Sequence, residues 1–391
     1  MNRQLAAVLV CITFVYLPGC VGSGSGSNTV DNGSNRSGEE GTPQFNSAIL
    51  DASDYDNYTY FNLDTGEALS LSAAEAATST DWHIGLRRYG VILNGGDSGP
   101  GNVKGAIAAT QADFYLDDEP NDSVFLNATA ASELEHLLAS YDASALSFVA
   151  DTKSAAISAP ETMNGTNIDM GWFNYNVATH AITLNDQNWW LLRSSAGDSY
   201  AIFHATSLSY DSTDGLSVNF EFDVQPKDVD TFTSNATFEA SIPAAGGENC
   251  FDFDSDTTVA CDDANWDLKL EVVGRNWNLW VNGGISGNGN GGAFGHLEDA
   301  VAATYTSATT SPTGESIAFL YSADASAGIF ESSPWYEYDL EGRHQLWPNY
   351  RVYLIDTDSS NEDAAQYALQ ITTYYADNGV SGFPRIRYVE Q

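Results

Sequence analysis

The sequence predicts an all-β fold of two tandem modules, which are built from antiparallel strands and carry one or two short helices. The first observation is the stretch 82–106, WHIGLRRYGVILNGGDSGPGNVKGA, where apolar side chains alternate with others before a glycine-rich turn. Such alternation is typical of a strand with one buried face. The second observation is that the same layout returns at 266–293, WDLKLEVVGRNWNLWVNGGISGNGNGGA. A repeated strand-and-turn layout indicates two related modules.

The two faces of this repeated strand are predicted to have different surroundings. Trp82 begins the apolar face in the first copy and Trp266 begins it in the second, so we expect both indole rings to anchor cores. The opposite face begins with His83 in one copy and with Asp267 in the other. Because the residue types on this face differ between the two copies, we expect this face to be exposed to water.

Length and charge limit the function classes. At 391 residues the chain is long enough for two cores, since a single core stops growing at about 250–300 residues. Acidic residues outnumber basic ones by 53 to 14, which gives a formal net charge of −39. Binding to nucleic acid needs Lys and Arg to neutralise phosphates, so the composition argues against nucleic acid and against anionic lipid headgroups as partners. It is typical of a heavily solvated surface.

Residues 1–19 have the features of a lipoprotein signal peptide. Arg3 precedes an apolar run over residues 5–17, which is shorter than the roughly 17–25 residues of a membrane-spanning helix. A small residue followed by Cys20 ends this region and resembles a bacterial lipobox. Cys20 is therefore the predicted lipidation site, and acyl chains alone would anchor the protein. Val21 favours the bacterial outer membrane, with the protein facing the periplasm or the cell surface.

Residues 20–43 are predicted to form a flexible tether. They are rich in Gly, Ser and Asn and show no apolar periodicity, which is typical of linkers. Module 1 is predicted to span residues 44–230 and module 2 residues 231–391.

Module 1 is predicted to open with an aromatic strand and an Asp-Thr-Gly turn within residues 54–68, DYDNYTYFNLDTGEA. After the repeated stretch, apolar residues between 127 and 148 recur at helical spacing, which predicts one short helix. Strand patterns with Asn, Asp and Gly turns then finish the module. They lie at residues 171–177, 181–184, 189–193, 200–208 and 216–224.

Module 2 repeats this order. Residues 334–349, PWYEYDLEGRHQLWPN, mirror residues 171–185, GWFNYNVATHAITLN, with aromatic positions, a turn, a histidine and then an asparagine. The closing strand patterns also correspond. They lie at residues 350–355, 367–375 and 386–389.

The positions of the cysteines are those expected of an exported protein. Of the four cysteines, Cys11 leaves with the signal peptide and Cys20 takes the lipid. Cys250 and Cys261 remain, at the two ends of the loop CFDFDSDTTVAC. In an oxidising compartment they are predicted to form one disulfide.

The stretch 82–106 resembles the signature of the HmuY family, whose members are haem-binding lipoproteins on the outer surface of Bacteroidetes. That signature is a Trp, an alternating strand, Arg-Tyr, and then Asn, Gly, Ser-Gly and a final Gly-Ala. The matching residues here are Trp82, Arg88, Tyr89, Asn94, Gly96, Ser98, Gly99, Gly105 and Ala106. The block YTYFNLDTGEA and the aromatic segment at Trp172 are similar too. Family members usually have a single module, whereas this chain is predicted to have two.

The resemblance implies capture of haem for iron acquisition, with haem and an outer-membrane transporter as partners. In the best-known member, haem iron lies between two histidines, one of which follows the aromatic Gly-Trp segment. His180 matches this position, and His344 is its counterpart in module 2. The other histidine has no match, because residues 140–162 and 297–334 contain none. Met170 is a further candidate axial ligand, since methionine holds haem iron opposite histidine in cytochromes.

Two other functions stay open at this point. One is a surface interaction or structural lipoprotein that has the fold without haem. The other is a calcium- or glycan-binding module, because Asp252, Asp254 and Asp256 alternate in the way that oxygen ligands of hard cations do. The sequence carries no HExxH, GxSxG or P-loop motif, and no residue stands out as a nucleophile or base. We therefore do not expect an enzyme.

Overall fold

The computed structural model describes residues 45–55, 57–117, 119–158 and 161–391. The predicted signal peptide, the tether and Cys20 lie outside the described residues. The all-β prediction is confirmed, since the described ranges form antiparallel sheets with five short α-helices, where one or two were expected. None of the helices in these ranges is long and apolar enough to cross a membrane.

The strands before residue 151 are β1 (Asn46–Ile49), β2 (Thr59–Asn62), β3 (Glu67–Leu69), β4 (Ile84–Arg87), β5 (Gly90–Leu93), β6 (Lys104–Ala109), β7 (Tyr115–Leu116) and β8 (Glu119–Pro120). The helices here are α1 (Ala73–Ala76), α2 (Asp122–Asn127) and α3 (Leu134–Leu137), with 3-10 turns at Ala112–Phe114 and Ala143–Ala145. A capping box between Ser72 and Glu75 begins α1, because it satisfies N–H groups that lack helical partners. α3 lies where helical spacing predicted a helix.

The strands of residues 151–328 are β9 (Thr152–Ser154), β10 (Thr162–Asn164), β11 (Asn167–Asp169), β12 (Phe173–Asn176), β13 (Ile182–Leu184), β14 (Asn188–Arg193), β15 (Tyr200–Asp211), β16 (Gly215–Gln225), β17 (Ser234–Ile242), β18 (Gly247–Asp252), β19 (Thr257–Val259), β20 (Leu268–Val273), β21 (Asn276–Val281), β22 (Gly292–Glu298) and β23 (Ala325–Ala327). This part also contains α4 (Asp299–Ala302) and a 3-10 turn at Ala318–Leu320.

The remaining elements are α5 (Ile329–Ser332), β24 (Tyr336–Tyr338), β25 (Leu346–Pro348), β26 (Val352–Asp356), β27 (Gln366–Tyr375) and β28 (Ser381–Glu390).

Strand pairing divides the described chain into two domains. The split domain comprises residues 45–150 and 329–391, and its main sheets have the orders β1-β28-β27-β26-β6 and β3-β2-β4-β5. The nested domain comprises residues 151–328, and its corresponding sheets are β17-β16-β15-β14-β22 and β19-β18-β20-β21. A further sheet of the nested domain, β10-β11-β12-β13, carries the hairpin of His180.

These domains differ from the predicted modules 44–230 and 231–391. β6 of module 1 pairs with β26 of module 2, where Ala106 lies opposite Leu354. β14 of module 1 pairs with β22 of module 2, where Leu191 lies opposite Phe294. Each domain thus combines the first part of one module with the second part of the other. The two modules stay a prediction about repetition in the sequence. The sheets of each domain contain strands from both predicted modules.

The two chain crossings between the domains run side by side. β9 and β23 pair antiparallel, with Lys153 opposite Ser326. Beside each crossing, a buried aspartate accepts the backbone N–H of a strand: Asp151 from Leu93 at 2.8 Å, and Asp324 from Val281 at 2.9 Å. The same contact therefore holds the crossing in both domains.

The repeated tryptophans are buried, but in smaller clusters than expected. Trp82 is 1% exposed and packs with Tyr60 and Ile92, apart from the main core that contains Ile84. Trp266 is 4% exposed and packs beside the cysteine pair, apart from the main core of the nested domain. Both residues anchor the four-stranded sheets of their domains.

The expectation that His83 and Asp267 face water is wrong. They are only 6% and 1% exposed. His83 Nδ1 accepts the backbone N–H of Leu63 at 3.1 Å, and Asp267 Oδ2 accepts that of Phe253 at 3.1 Å. Each side chain satisfies an N–H at the same place in its domain, which explains why a buried position holds two different acceptors.

Candidate functional site

His180 and His344 lie at equivalent turns, one in each domain. His180 follows β12 and His344 follows β24, and both imidazoles are exposed. Their φ angles of 59° and 56° are in the left-handed region, which non-glycine residues adopt rarely. The two hairpins thus share an uncommon backbone conformation at the histidine.

Each histidine is hydrogen-bonded to a tyrosine on the preceding strand. Tyr175 Oη lies 2.5 Å from His180 Nδ1, and Tyr338 Oη lies 2.9 Å from His344 Nδ1. In both rings, Nε2 is the nitrogen that the tyrosine hydroxyl does not contact. Sequence analysis missed the tyrosines, although both hairpins have one at the second aromatic position after the tryptophan.

The base of each hairpin is held by an asparagine amide. Asn185 Nδ2 donates to Gly171 O at 2.9 Å, and Asn349 Nδ2 donates to Pro334 O at 2.8 Å. These are the asparagines that the sequence repeat aligned. The turns between the tyrosine and the histidine differ in sequence and length, yet the tyrosine–histidine contact and the asparagine contact occur in both hairpins.

Met170 lies at the other end of β12 from His180. The four residues of β12 span about 13 Å at the rise of a β-strand, whereas two axial ligands of one iron must both contact the metal. The structure therefore does not bring Met170 and His180 together. Instead, Met170 lines a cavity of about 260 Å³ in the nested domain.

This cavity has aromatic rings from both predicted modules in its lining, together with small and polar residues. Trp172 and Phe173 come from module 1, and Trp277 comes from the tip of the β20–β21 hairpin of module 2, with 6.0 Å between the Trp172 and Trp277 ring centroids. Arg275 on the same hairpin adds a guanidinium to the lining. Glu161 also lines the cavity, so its lining carries one negative and one positive group beside the aromatic rings. Aromatic rings of this kind suit a flat ligand, and Arg275 is the residue that can meet an anionic group on it.

Tyr175 extends the same side of β12. Phe173, which lines the cavity, and Tyr175 are two residues apart, so their side chains leave the strand on one face about 7 Å apart. In register, Tyr175 lies opposite Ile168 and Ile182 on the neighbouring strands. The cavity and the Tyr175–His180 pair therefore belong to one continuous, largely apolar face.

In the split domain, the corresponding contact joins Tyr89 to Tyr336, with ring centroids 5.6 Å apart. Trp335 Nε1 donates to Tyr89 O at 2.9 Å. The neighbouring Arg88 donates to Ser53 O at 3.0 Å and Ser381 Oγ at 3.1 Å. Arg88 therefore links the first and the last chain segments of the split domain, at Ser53 and Ser381.

A second cavity, of about 290 Å³, lies in the split domain beside the strand that follows His344. Leu346 and Trp347 line it from that strand, and Phe125 and Leu126 line it from α2. The hairpin of His344 thus also borders a partly apolar space.

The acidic loop brings together a different set of carboxylates from the one predicted. Oxygens of Asp252, Asp254 and Asp267 lie within 4.8 Å of one another, and Asp256 is not among them. Asp267 accepts the N–H of Ser195 at 2.6 Å in addition to that of Phe253. Burial raises the pKa of Asp267 to about 7. These contacts give the central carboxylate a structural role.

Cys250 and Cys261 form a disulfide with an S–S distance of 2.13 Å. It links β18 to the segment after β19, next to Trp266.

Comparison with protein families identifies part of the chain. Residues 54–223 match the family described as HmuY protein. The resemblance to the HmuY family is therefore confirmed over this segment. It lies within module 1 and contains Met170, Tyr175 and His180, so the HmuY match includes the first candidate hairpin. A comparison with curated proteins found no match.

The chain is also similar to three solved structures. One is described as a HmuY-like heme-binding protein from Bacteroides vulgatus, with 12% identity, a TM-score of 0.29 and coverage of 88% of this chain and 91% of that chain. A lipoprotein from Bacteroides fragilis has 12% identity, a TM-score of 0.30 and coverage of 88% of each chain. The apo HmuY analogue from Tannerella forsythia has 19% identity, a TM-score of 0.15 and coverage of 47% and 97%. Similarities this distant carry no further conclusion.

The donors on the hairpins can be tested against the needs of haem, which are an axial ligand, an apolar slot and a cation for the propionates. The nested domain offers the His180 imidazole, the aromatic cavity face and Arg275. The split domain offers His344. This donor set fits a haem held through one imidazole in each domain.

Proposed function

We propose that this protein binds haem at the bacterial outer surface and supplies it for iron acquisition. The observation that carries the proposal is the HmuY match over residues 54–223, which includes His180 on its exposed hairpin. Its function is ligand binding and not catalysis.

The geometry of the nested domain supports a flat ligand. Trp172, Trp277 and Met170 give an apolar cavity wall, and Arg275 gives the positive charge for a propionate in a chain with a net charge of −39. Tyr175 extends this face toward His180, whose imidazole is the proposed axial ligand. A haem lying along the face would contact the cavity and the hairpin together.

His344 is the proposed ligand of a second site in the split domain. It has the same backbone conformation as His180 and a tyrosine partner at the equivalent position of its hairpin. We therefore propose up to two haems per chain, one for each domain.

The proposed location follows from the first residues of the sequence. Removal of residues 1–19 would leave Cys20 as the lipidated first residue, and the tether 20–43 would hold the domains away from the membrane. Haem held on exposed hairpins could then pass to an outer-membrane transporter, which is the proposed partner.

Titration with ferric haem tests this function. The chain without residues 1–43 is suitable, because the described strands begin at Asn46. We expect a shift of the Soret band that saturates at two haems per chain, and at one haem in His180→Ala and in His344→Ala. No Soret shift at micromolar protein would refute haem binding. If the variant with both substitutions still bound two haems, His180 and His344 would not be the axial ligands.

The alternative is a surface lipoprotein that does not bind haem. The acidic cluster of Asp252, Asp254 and Asp267 is the observation that keeps calcium binding within this alternative. A ligand that binds only the folded state raises the melting temperature. An increase in melting temperature with calcium, together with no Soret shift, would favour the alternative.

A further inference from the structure

The proton on the imidazole of each candidate histidine decides which nitrogen can bind a metal. A neutral imidazole carries one proton, so one nitrogen donates a hydrogen bond and the other has a free lone pair. Nδ1 of His180 and of His344 is occupied by a tyrosine hydroxyl. If Nδ1 carries the proton and donates to the tyrosine, the exposed Nε2 is free to bind a metal.

The surroundings of His344 favour the proton on Nδ1. Asp339 Oδ2 lies 3.8 Å from His344 Nδ1, and Asp339 Oδ1 accepts the backbone N–H of His344 at 2.5 Å. A negative carboxylate on the Nδ1 side stabilises an N–H there. Histidines that bind metals through one nitrogen commonly donate the other N–H to such a partner.

The surroundings of His180 differ at the residue that follows the tyrosine. Asn176 takes the place of Asp339 after the tyrosine, and its Oδ1 accepts the N–H groups of Ala178 and Thr179 at 3.0 Å each. Thus the tyrosine partner is common to both hairpins, while the carboxylate occurs only at His344.

We propose that Tyr175 and Tyr338 are positioning residues, which accept Nδ1–H from His180 and His344 and keep Nε2 free to bind ferric haem iron. Asp339 makes the His344 site the tighter of the two, because a carboxylate beside Nδ1–H fixes the tautomer and the orientation of the ligand ring. This inference rests on the proposed haem function and assigns roles that the family match does not provide.

The first test needs no haem. In the ligand-free chain without residues 1–43, the ¹⁵N NMR spectrum of the imidazoles above the titration range of histidine distinguishes the two neutral forms. We expect Nδ1–H for His180 and His344. Tyr175→Phe should increase the Nε2–H form of His180, while Tyr55→Phe, which changes an exposed tyrosine outside the hairpins, should not. Nε2–H at both histidines of the unmutated chain would overturn the inference, even if haem binds.

The second test measures each site separately. In the His344→Ala background only the His180 site remains, and Tyr175→Phe should weaken haem binding about 10- to 100-fold, the usual effect of losing a partner of a metal ligand. In the His180→Ala background, Tyr338→Phe should have a similar effect. Circular dichroism checks that each variant is folded. Unchanged affinity and an unchanged haem spectrum in both tyrosine variants would overturn the positioning role.

Reciprocal substitutions test the difference between the sites. Asp339→Asn should weaken the His344 site about 10-fold, and Asn176→Asp should strengthen the His180 site by a similar factor, within the range seen for such partners. Asn suits position 339, whose φ of 64° is left-handed, because asparagine adopts this region more readily than most residues. Equal affinities before and after the exchange would overturn the role of Asp339. If the unmutated chain binds no haem, the proposed function and this inference fail together, whereas the tyrosine and Asp339 outcomes refute only the inference.

Discussion

Asp324 Oδ1 accepts the backbone N–H of Ala156 at 2.8 Å, although 168 positions separate the two residues in the chain. The other carboxylate oxygen accepts the N–H of Val281. One buried side chain therefore holds a chain crossing against the β20–β21 hairpin of the nested domain.

Asp324→Ala should strongly destabilise the nested domain. It removes the acceptor of two backbone N–H groups, and each buried donor left without a partner costs about 1–3 kcal/mol. We expect the free energy of unfolding in urea to fall by about 2–4 kcal/mol. The matched change Asp363→Ala, at an exposed residue, should stay within about 0.5 kcal/mol of the unmutated protein. Equal effects of the two substitutions would contradict the assigned role of Asp324.

The domain boundaries predict how fragments behave. Residues 151–328 contain every strand of the nested domain, so this fragment should be a monomer that unfolds cooperatively. Residues 44–230, of similar length, contain β6 without β26 and β14 without β22. Unpaired edges favour association, and this fragment should therefore melt at a lower temperature or form dimers. Size-exclusion chromatography and thermal denaturation would decide, and a more stable monomer of 44–230 would contradict the observed strand exchange.

Asp267 should make stability depend on pH. Burial raises its pKa to about 7, whereas an exposed aspartate titrates near pH 4. Between about pH 4 and pH 7 the folded protein retains a proton that the unfolded chain has lost, so the free energy of unfolding should fall as pH rises through this range. Asp267→Asn should flatten this part of the urea-unfolding profile, while Asp262→Asn at an exposed residue should not. Parallel profiles for the unmutated chain and Asp267→Asn would contradict the prediction.

The disulfide should stabilise the nested domain. It joins cysteines 11 positions apart, and closing a loop of this size in the unfolded chain is worth about 3 kcal/mol. A reducing agent should therefore lower the melting temperature of the unmutated chain. The variant Cys250→Ala/Cys261→Ala should start at the lower value and show no response to the reductant. If the reductant also lowered the melting temperature of that variant, the loss of stability could not come from this disulfide.

The sequence predicted the local elements well, because strand alternation and turn residues act over short distances. The hairpins of His180 and His344 were matched by their aromatic positions, their histidines and the asparagines at their bases. The exchange between modules was not predictable in this way. β6 and β22 have similar patterns, so alternation alone does not say whether β26 or β14 is the partner.

The site was predicted only in part. His180 was chosen from the family pattern and His344 as its counterpart in module 2, and both stay predictions as ligands. Their tyrosine partners require knowledge of how each hairpin closes. The error at His83 and Asp267 has a physical cause. A polar residue that alternates with buried ones is expected in water, but here it supplies an acceptor to a buried strand, and either a neutral imidazole or a carboxyl group can do so.

The insertion of the nested domain also imposes an order on synthesis. All strands of the nested domain have been made once residue 328 has left the ribosome, whereas β1 must wait for β28, because Asn46 pairs with Tyr388. A nested domain that has already folded holds its two ends together through β9 and β23, which shortens the effective loop that the pairing of β1 with β28 must close. Rapid folding of the insert would thus speed the completion of the domain that surrounds it.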